Sequence, residues 1–382
     1  MEAPANVCDS DTRSSQICCT DAESEIPRTA LPGSGKDLPP SVIGEVVTPA
    51  GPVPRVSAEM SSSDRLGIWK VRWGIGRMKY TVPPGLYSLG EPDAGSEVLV
   101  TANFRMTFDL LRCSMNHVNV WILVLDTSGI NVWCAAGKGT FGTDELIRRV
   151  KSSNVGAVID HRRLILPQLG APGVAAHEVR ERTGFKVFYG PVELRDIPAY
   201  LENGRQATPA MRRKEFPLTE RAALVPLELV PASKWVVILT LVFALLGGIM
   251  GSGSFTLDAA SYGIRSFALL VLGTFVGTVL TPILLPWVPG RAFALKGAIT
   301  GMAAALLLLA SGYLSGLDGI AWLLLITTIS SFLAMNFTGS STYTSLSGVK
   351  KEMRIAVPVQ IGASVMAIVL WISAFLTSGG SA

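Results

Sequence analysis

Charged side chains are scarce in this sequence, and those that set its net charge lie in its last third. Only 16% of the 382 residues are charged and 49% are hydrophobic, a low charged share for a protein whose whole surface faces water. The first 231 residues carry 26 acidic and 26 basic side chains, so the net charge of +4 arises beyond them. Because no basic face is left to meet phosphates, we expect no nucleic-acid partner.

Histidine and cysteine are also few, and neither has the spacing of a metal site or a disulfide framework. The three histidines do not cluster with cysteine, which argues against a zinc site. Five cysteines are an odd number and no secretory signal precedes them, so we expect reduced thiols in a cytosolic compartment. We interpret Cys8, Cys18 and Cys19 as incidental residues of a polar tail, with a metal or iron-sulfur site as the alternative.

Composition divides the chain into four parts. Residues 1–60 are rich in Ser, Pro, Gly and acidic residues, which predicts a disordered tail. Residues 61–215 alternate short β-branched runs with helical stretches, which predicts an α/β domain with a Rossmann-like sheet. A linker is predicted at 216–234, and residues 235–376 are predicted to form an all-α transmembrane domain of five helices.

The transmembrane prediction rests on five apolar stretches, each close to the ~20 residues that a helix needs to cross a bilayer core. They run from about 235 to 251, 266 to 287, 292 to 314, 320 to 337 and 355 to 376. Basic residues in the short loops predict a multi-pass protein of the cytoplasmic (inner) membrane with its α/β domain in the cytoplasm. Lys296 lies near the inner end of the third stretch, where snorkelling is favoured over a functional intramembrane charge.

One segment of the α/β domain has a pattern with chemical meaning, Gly129-Ile-Asn-Val-Trp-Cys-Ala-Ala-Gly-Lys-Gly-Thr-Phe141. Asn131 is a good helix N-cap and Gly137 a natural left-handed stop, so the pattern predicts a short helix with Cys134 in its first turn. The helix dipole and Lys138 should lower the pKa of this thiol and favour the thiolate, which ligates soft metals. From the residues alone, a small buried hydrophobic side chain is the alternative role for Cys134.

The octapeptide from Asn131 to Lys138 resembles the signature of the mercury-methylating corrinoid proteins, the HgcA family, in which the matching cysteine is the lower axial ligand of cobalt. Residues 98–104, 164–170 and 189–191 resemble the corrinoid domain of the corrinoid iron-sulfur proteins of acetyl-CoA metabolism. The five apolar stretches are similar to those of the mercury family and have no counterpart in the soluble relatives. The resemblance covers residues 66–382 and implies a corrinoid (cobalamin-type) cofactor, with its cobalt, in the α/β domain.

The resemblance implies a corrinoid-dependent methyltransferase that passes a methyl group from cobalt to Hg(II) and so makes methylmercury. Cys134 would be the catalytic residue and the cobalt ligand. The other cofactor contacts carried over by motif are Thr101, Asn103, Asn131, Val132, Trp133, Ala135, Ala136, Gly137, Lys138, Leu169 and Gly170. The implied partners are a ferredoxin-like electron donor with two 4Fe-4S clusters, a folate-type methyl donor with its methyltransferase, an Hg(II) thiolate substrate and the lipid bilayer.

Two other functions stay open. The chain can be a corrinoid methyl carrier of one-carbon metabolism, in the acetyl-CoA pathway, that never meets mercury. It can also be a membrane transporter whose soluble domain senses a metal through Cys134. A neighbouring gene for a carbon monoxide dehydrogenase subunit would favour the carrier, and protein purified without cobalt would favour the transporter.

Two common cofactor patterns do not apply to this chain. The corrinoid pattern Asp-x-His-x-x-Gly is absent, so none of the three histidines is offered to cobalt in that way. Gly137, Gly139 and Gly142 have the spacing of a dinucleotide-binding fingerprint. However, Trp133 stands where the tight turn after a strand would be, and Thr143 begins its own helix. The context therefore argues against a nicotinamide or flavin site.

Overall fold

The computed structural model describes residues 38–251, 253–340 and 346–377. Most of the predicted tail, with Cys8, Cys18 and Cys19, lies outside these ranges. Within them, a mixed α/β sheet domain is followed by a helical region. The order of the two regions agrees with the sequence prediction.

Seven strands form one sheet in the order β1-β2-β3-β5-β4-β6-β7. They are β1 (Val42–Thr48), β2 (Gly51–Val56), β3 (Gly85–Leu89), β4 (Val98–Ala102), β5 (Val120–Leu125), β6 (Arg163–Leu166) and β7 (Lys186–Tyr189). The strands β5, β4, β6 and β7 are parallel, whereas β3 is antiparallel to β5 and β1 is antiparallel to β2. The sheet is therefore mixed, and the Rossmann-like assignment stays a prediction.

Six helices accompany the sheet, and hydrophobic cores lie on both of its faces. The helices are α1 (Ser62–Arg72), α2 (Arg105–Ser114), α3 (Val132–Lys138), α4 (Thr143–Ser152), α5 (Ala176–Thr183) and α6 (Ile197–Glu202). Alternate residues of β5 enter different cores: Trp121 and Leu123 pack in one, Ile122 and Val124 in the other. The chain passes from β4 to β5 in one direction along the sheet, and from β5 past β4 to β6 in the other. Ligands of open α/β sheets bind at the strand ends beside such a reversal.

Two predicted boundaries were wrong. Residues 42–56, assigned to the disordered tail, form the β1–β2 hairpin, and Val53 is fully buried there. The linker assigned to 216–234 is helical from Leu218 onwards and continues into the first apolar helix.

The helical region consists of α7 (Leu218–Met250), α8 (Phe255–Phe275), α9 (Thr281–Leu284), α10 (Phe293–Ala310), α11 (Gly316–Ser340) and α12 (Leu346–Thr377). A π-helical turn joins α8 to α9. By length and composition, five segments of the described chain can cross a membrane: Leu218–Met250, Phe255–Leu284, Phe293–Ala310, Gly316–Phe337 and Gly348–Thr377. The five predicted apolar helices are confirmed, and their insertion in a bilayer stays a proposal.

Two polar contacts fix the end of this bundle that adjoins the α/β domain. Arg221 of α7 donates hydrogen bonds to the carbonyl oxygens of Pro282 (2.9 Å) and Ile283 (2.7 Å) in α9. The ammonium group of Lys296 donates to the carbonyl oxygen of Leu285. Lys296 is therefore satisfied by a backbone carbonyl at the helix end, as a lysine near a membrane boundary can be.

Candidate functional site

The loop that leads from β5 to α3 is held by one buried amide. The Oδ1 atom of Asn103, just after β4, accepts hydrogen bonds from the backbone N of Thr127 (3.1 Å), its Oγ1 (2.8 Å) and the backbone N of Gly129 (3.0 Å). The Nδ2 atom of Asn103 donates to Asp126 at 3.3 Å. Asn103 therefore determines where α3 begins, and its predicted direct contact with a cofactor stays a prediction.

The helix α3 begins as predicted and ends later than predicted. Oδ1 of Asn131 accepts a hydrogen bond from the backbone N of Cys134 at 3.1 Å, which makes Asn131 the N-cap. Gly137 is still helical, so its assignment as the stop was wrong. The stop is Gly139, whose φ of +83° lies in the left-handed region that favours glycine.

The two faces of α3 have different roles. The inward face is buried in the core and consists of Val132, Ala135 and Ala136. The outward face consists of the half-buried Trp133 and Cys134 and the exposed Gly137 and Lys138. Residues three apart are neighbours on a helix, so the thiol of Cys134 lies beside Gly137, which has no side chain. Half of the octapeptide thus anchors the helix, and the other half presents a thiol on an open face.

The thiol of Cys134 is free, and its pKa differs from the sequence expectation. Burial raises the pKa of Cys134, while the positive charges of Arg77 and Lys138 lower it without cancelling that increase. The expectation of a lowered pKa was therefore wrong for the protein without cofactor. A thiol that is protonated at neutral pH must lose its proton when it ligates a metal.

Arg77 is a site residue that the sequence did not reveal. Its guanidinium group lies over the ring of Phe104, 5.1 Å from the centroid, and its charge acts on Cys134. Gly129, at φ +72°, lets the two loops approach, because a Cβ there would be 3.1 Å from the carbonyl oxygen of Met78. Arg77 and Cys134 are distant in the sequence, so the folded chain is what brings the charge of Arg77 near the thiol.

The turn after β6 packs against the back of α3. A Cβ at Gly173 would overlap the carbonyl oxygen of Phe141 and lie 3.0 Å from Cα of Ala136. A Cβ at Gly170 would lie 2.6 Å from the ring of Phe141, so Gly170 allows close packing here, and its predicted contact with a cofactor stays a prediction. Thr101, at the end of β4, is buried and lines a small cavity of about 40 Å³.

A larger cavity, of about 320 Å³, separates the α/β domain from the start of α7. Arg77, Asn131 and Leu169 line it on the domain side. Phe216 and Leu224 line it on the side of the helical region. Its volume is at the lower end of the ~300–1,000 Å³ typical of ligand pockets, so it can enclose part of a cofactor. The contribution from α7 was not predicted.

These residues fit a corrinoid in their chemistry, and the helix surface beside the thiol is open. A thiolate is a soft ligand suited to transition metals. Beside it, Gly137 has no side chain, and a Cβ at Gly139 would meet no atom within 4 Å, so the outward face is clear. The described residues contain no group of three or more His, Cys, Asp or Glu that could hold a bare metal ion. Cobalt in a corrin has its other ligands supplied by the ring, so a single protein thiolate is compatible with that cofactor.

Comparisons with known proteins match this region of the chain. Residues 76–201 match the family model of the CO dehydrogenase/acetyl-CoA synthase delta subunit. The gamma subunit of the acetyl-CoA decarbonylase/synthase complex of Methanopyrus kandleri is 31% identical over 123 residues, 32% of this chain and 26% of the subunit. The corresponding subunit of Methanocaldococcus jannaschii is 30% identical over 129 residues, 33% of this chain and 26% of the subunit.

Residues 76–201 are therefore related to subunits of CO dehydrogenase/acetyl-CoA synthase complexes, and this relation supports a corrinoid cofactor. The matched region contains every predicted cofactor contact from Thr101 to Gly170. The corrinoid expected from the sequence is confirmed at the level of the cofactor class. The chain spans about a quarter of the length of these relatives, and the family match ends before the apolar helices.

Replacing Arg77 by methionine is expected to raise the pKa of Cys134 further in the protein without cofactor, because one of its two neighbouring positive charges is lost. A higher pKa would slow alkylation of Cys134 by iodoacetamide at pH values below the pKa, because the thiolate is the reactive form. The measurement is the pH profile of alkylation, followed by mass spectrometry of the Cys134 peptide. Arg72→Met, in the same cavity, is the matched control, and an unchanged profile in Arg77→Met would contradict the assignment.

Proposed function

We propose that this chain is a membrane-inserted corrinoid methyl-transfer protein in which Cys134 ligates the cobalt. The observation that carries the proposal is the free, half-buried thiol of Cys134 beside a glycine on the open face of α3. The relation to corrinoid subunits supports the cofactor. The octapeptide around Cys134 supports cobalt ligation by sulfur.

Each residue of the site would have a separate role. The corrinoid, when bound, supplies a cobalt that accepts and gives up a methyl group. Cys134 would ligate the metal and, as a thiolate, donate electron density to it. Arg77 and Lys138 stabilise that thiolate after its proton has left. Asn131 fixes the turn that carries the thiol, and Gly137 keeps the adjoining surface clear.

The methyl acceptor separates two versions of this function. The matched relatives are subunits of acetyl-CoA decarbonylase/synthase complexes, which favours a methyl carrier of one-carbon metabolism. The octapeptide with Cys134 favours an Hg(II) thiolate as acceptor and methylmercury as product. As a thiolate ligand, Cys134 would donate electron density to the metal, and a methyl group carrying its bonding electrons is the form that Hg(II) accepts.

The proposed partners follow from what such a reaction needs. A folate-type donor with its methyltransferase supplies the methyl group. In the mercury version the methyl group would leave with its bonding electrons, so the metal would need two electrons, and a ferredoxin-like protein with two 4Fe-4S clusters would supply them. The described part of this chain has only two cysteines, Cys113 and Cys134, which are too few for a cluster.

The full chain, purified without oxygen in detergent, tests both versions. We expect stoichiometric cobalt and an absorbance spectrum typical of sulfur-ligated cobalt. Protein loaded with a radiolabelled methyl group is then mixed with Hg(II)-cysteine or with an acetyl-CoA synthase subunit. Label found on mercury identifies the first version, and label passed only to the synthase identifies the carrier. Protein that neither contains cobalt nor binds added corrinoid would refute both and favour the transporter.

We also propose that the five apolar segments insert into the cytoplasmic membrane with the α/β domain in the cytoplasm. Their length and composition support insertion, and the basic loops support the orientation. Resistance of the chain to alkaline carbonate extraction tests insertion. Cleavage of the α/β domain by protease in inside-out vesicles, but not in intact spheroplasts, tests orientation.

A further inference from the structure

The first helix of the α/β domain presents an apolar stripe to the outside. Only Asp64, Ile68 and Val71 of α1 are buried. The opposite face carries Leu66 and Trp69, each 52% exposed, and the half-buried Trp73. The rings of Trp69 and Trp73 lie 5.5 Å apart along this face. In a domain with large buried cores on both sides of its sheet, such a stripe is an interaction surface without an assigned partner.

Positive charges flank this stripe on both sides. On a helix with 100° per residue, Arg65 and Arg72 lie along one edge and Lys70 along the other. All three side chains are exposed, and none forms a salt bridge within the described ranges. Asp64 is the single acidic residue between 62 and 79, and it is buried and paired with arginines of α2. The exposed surface of α1 is therefore basic and apolar together.

The turn after α1 extends the same character. Ile75 is 55% exposed and Met78 is 64% exposed. The exposed Lys79 lies next to Met78. We call the surface formed by these residues and the exposed side chains of α1 the α1 surface.

The α1 surface lies at the end of the apolar bundle that adjoins the α/β domain. The helix α1 packs against α7, and Arg72 and Leu224 line the same cavity. Leu224 belongs to a cluster with Leu285 and Phe293, at the ends of the second and third apolar segments. If these segments cross a bilayer, its headgroups lie at this level.

We propose that the α1 surface binds the anionic headgroups of the cytoplasmic leaflet, an inference that rests on the proposed membrane insertion. Helices that lie in a membrane interface combine Trp and Leu on one face with Lys and Arg around it. Tryptophan concentrates at the headgroup level, and exposed cations are attracted by anionic lipids. The position of α1 beside α7 brings this composition to the boundary where it acts. The contact would fix the orientation of the domain, and therefore of the opening at Cys134, relative to the membrane.

Hydrogen exchange of the full chain in lipid nanodiscs tests this proposal. One set of nanodiscs contains phosphatidylcholine alone, and the other contains phosphatidylcholine with phosphatidylglycerol. We expect amides of residues 62–79 to exchange several-fold more slowly with phosphatidylglycerol. The combined variant Arg65→Glu, Lys70→Glu and Lys79→Glu should lose this difference. The matched control reverses three exposed cations elsewhere on the domain, Lys151→Glu, Arg180→Glu and Arg195→Glu, and should keep it.

The remaining outcomes overturn the proposal in distinguishable ways. Equal exchange of residues 62–79 in both lipids, with α8 to α11 protected, would show that the helices insert but that the α1 surface does not bind anionic lipid. An acidic protein would then be the alternative partner of this surface. Protection in both lipids that disappears when residues 1–37 are deleted would assign the surface to that acid-rich segment. Rapid exchange throughout α8 to α11 would overturn membrane insertion itself.

Discussion

Replacing Cys134 by alanine is expected to abolish methyl transfer and to leave the α/β domain folded. The side chain lies half-buried on the outward face of α3, and its Sγ atom has no hydrogen-bond partner among the residues that the structure describes. The inward face of α3, which packs in the core, is unchanged by the substitution. Loss of the proposed metal ligand should reduce transfer by more than the roughly 10- to 100-fold typical of removing an outer-shell partner.

Three readouts separate ligation from a structural role. The absorbance spectrum of cobalt should lose its sulfur-ligated character, transfer should fall, and the far-ultraviolet circular dichroism should stay the same. Cys113→Ala, which removes the other described cysteine, should leave all three unchanged. Cys134→His should retain part of the activity, because imidazole also ligates cobalt. Full activity of Cys134→Ala, with an unchanged spectrum, would refute the role assigned to this thiol.

The parts of the fold that could be predicted are those whose signal is local. β4 and β5 are continuous apolar runs, which is the pattern of strands buried on both faces. The β1–β2 hairpin was missed because its short strands sit in polar sequence, and Pro52 and Pro54 interrupt the second one. That strand is stabilised by its pairing with β3, a contact between distant parts of the chain. The residues around β2 alone therefore do not predict this strand.

The same distinction applies to the site. Asn131 and Cys134 could be placed from a capping pattern, since the cap acts within four residues. Arg77 and the wall contributed by α7 could not, because only the folded chain brings them to α3. The pKa of Cys134 was predicted in the wrong direction for a related reason. Its local charges could be seen in the sequence, but its burial is a tertiary property.

Replacing Arg112 by leucine is expected to destabilise the α/β domain by about 3–5 kcal/mol, the usual cost of breaking a buried ion pair from one side. Arg112 is fully buried and donates to carboxylate oxygens of Asp64 (2.6 Å) and Asp109 (2.9 Å). It also donates to the carbonyl oxygens of Ser57 (2.7 Å) and Glu59 (2.5 Å). One guanidinium group thus ties α2 to α1 and to the segment after β2, and leucine leaves two carboxylates and two carbonyls without it.

The loss of stability should become smaller as the pH falls. Burial already raises the pKa of Asp109 although Arg112 opposes the shift, and leucine should raise it further. A protonated Asp109 needs no cation, so acid removes part of the penalty in the variant. Burial alone would raise the pKa of Asp64, but hydrogen bonds from Ser61 and the charge of Arg112 hold it below its ordinary value. The lowered pKa of Asp64 stabilises the native protein at neutral pH, and this stabilisation is lost in acid. The difference in stability between the native protein and the variant therefore becomes smaller as the pH falls.

Hydrogen exchange of the α2 and β5 amides in the detergent-solubilised full chain gives the free energy of opening at neutral and at mildly acidic pH. Arg148→Leu is the matched control, because Arg148 is an exposed arginine that pairs with Glu145 and should contribute within about 0.5 kcal/mol. Equal protection in the two variants would show that the buried cluster is not what joins α1 to α2. If the free energy of opening lost in the Arg112 variant became larger on acidification, Asp64 and Asp109 would not depend on the charge of Arg112.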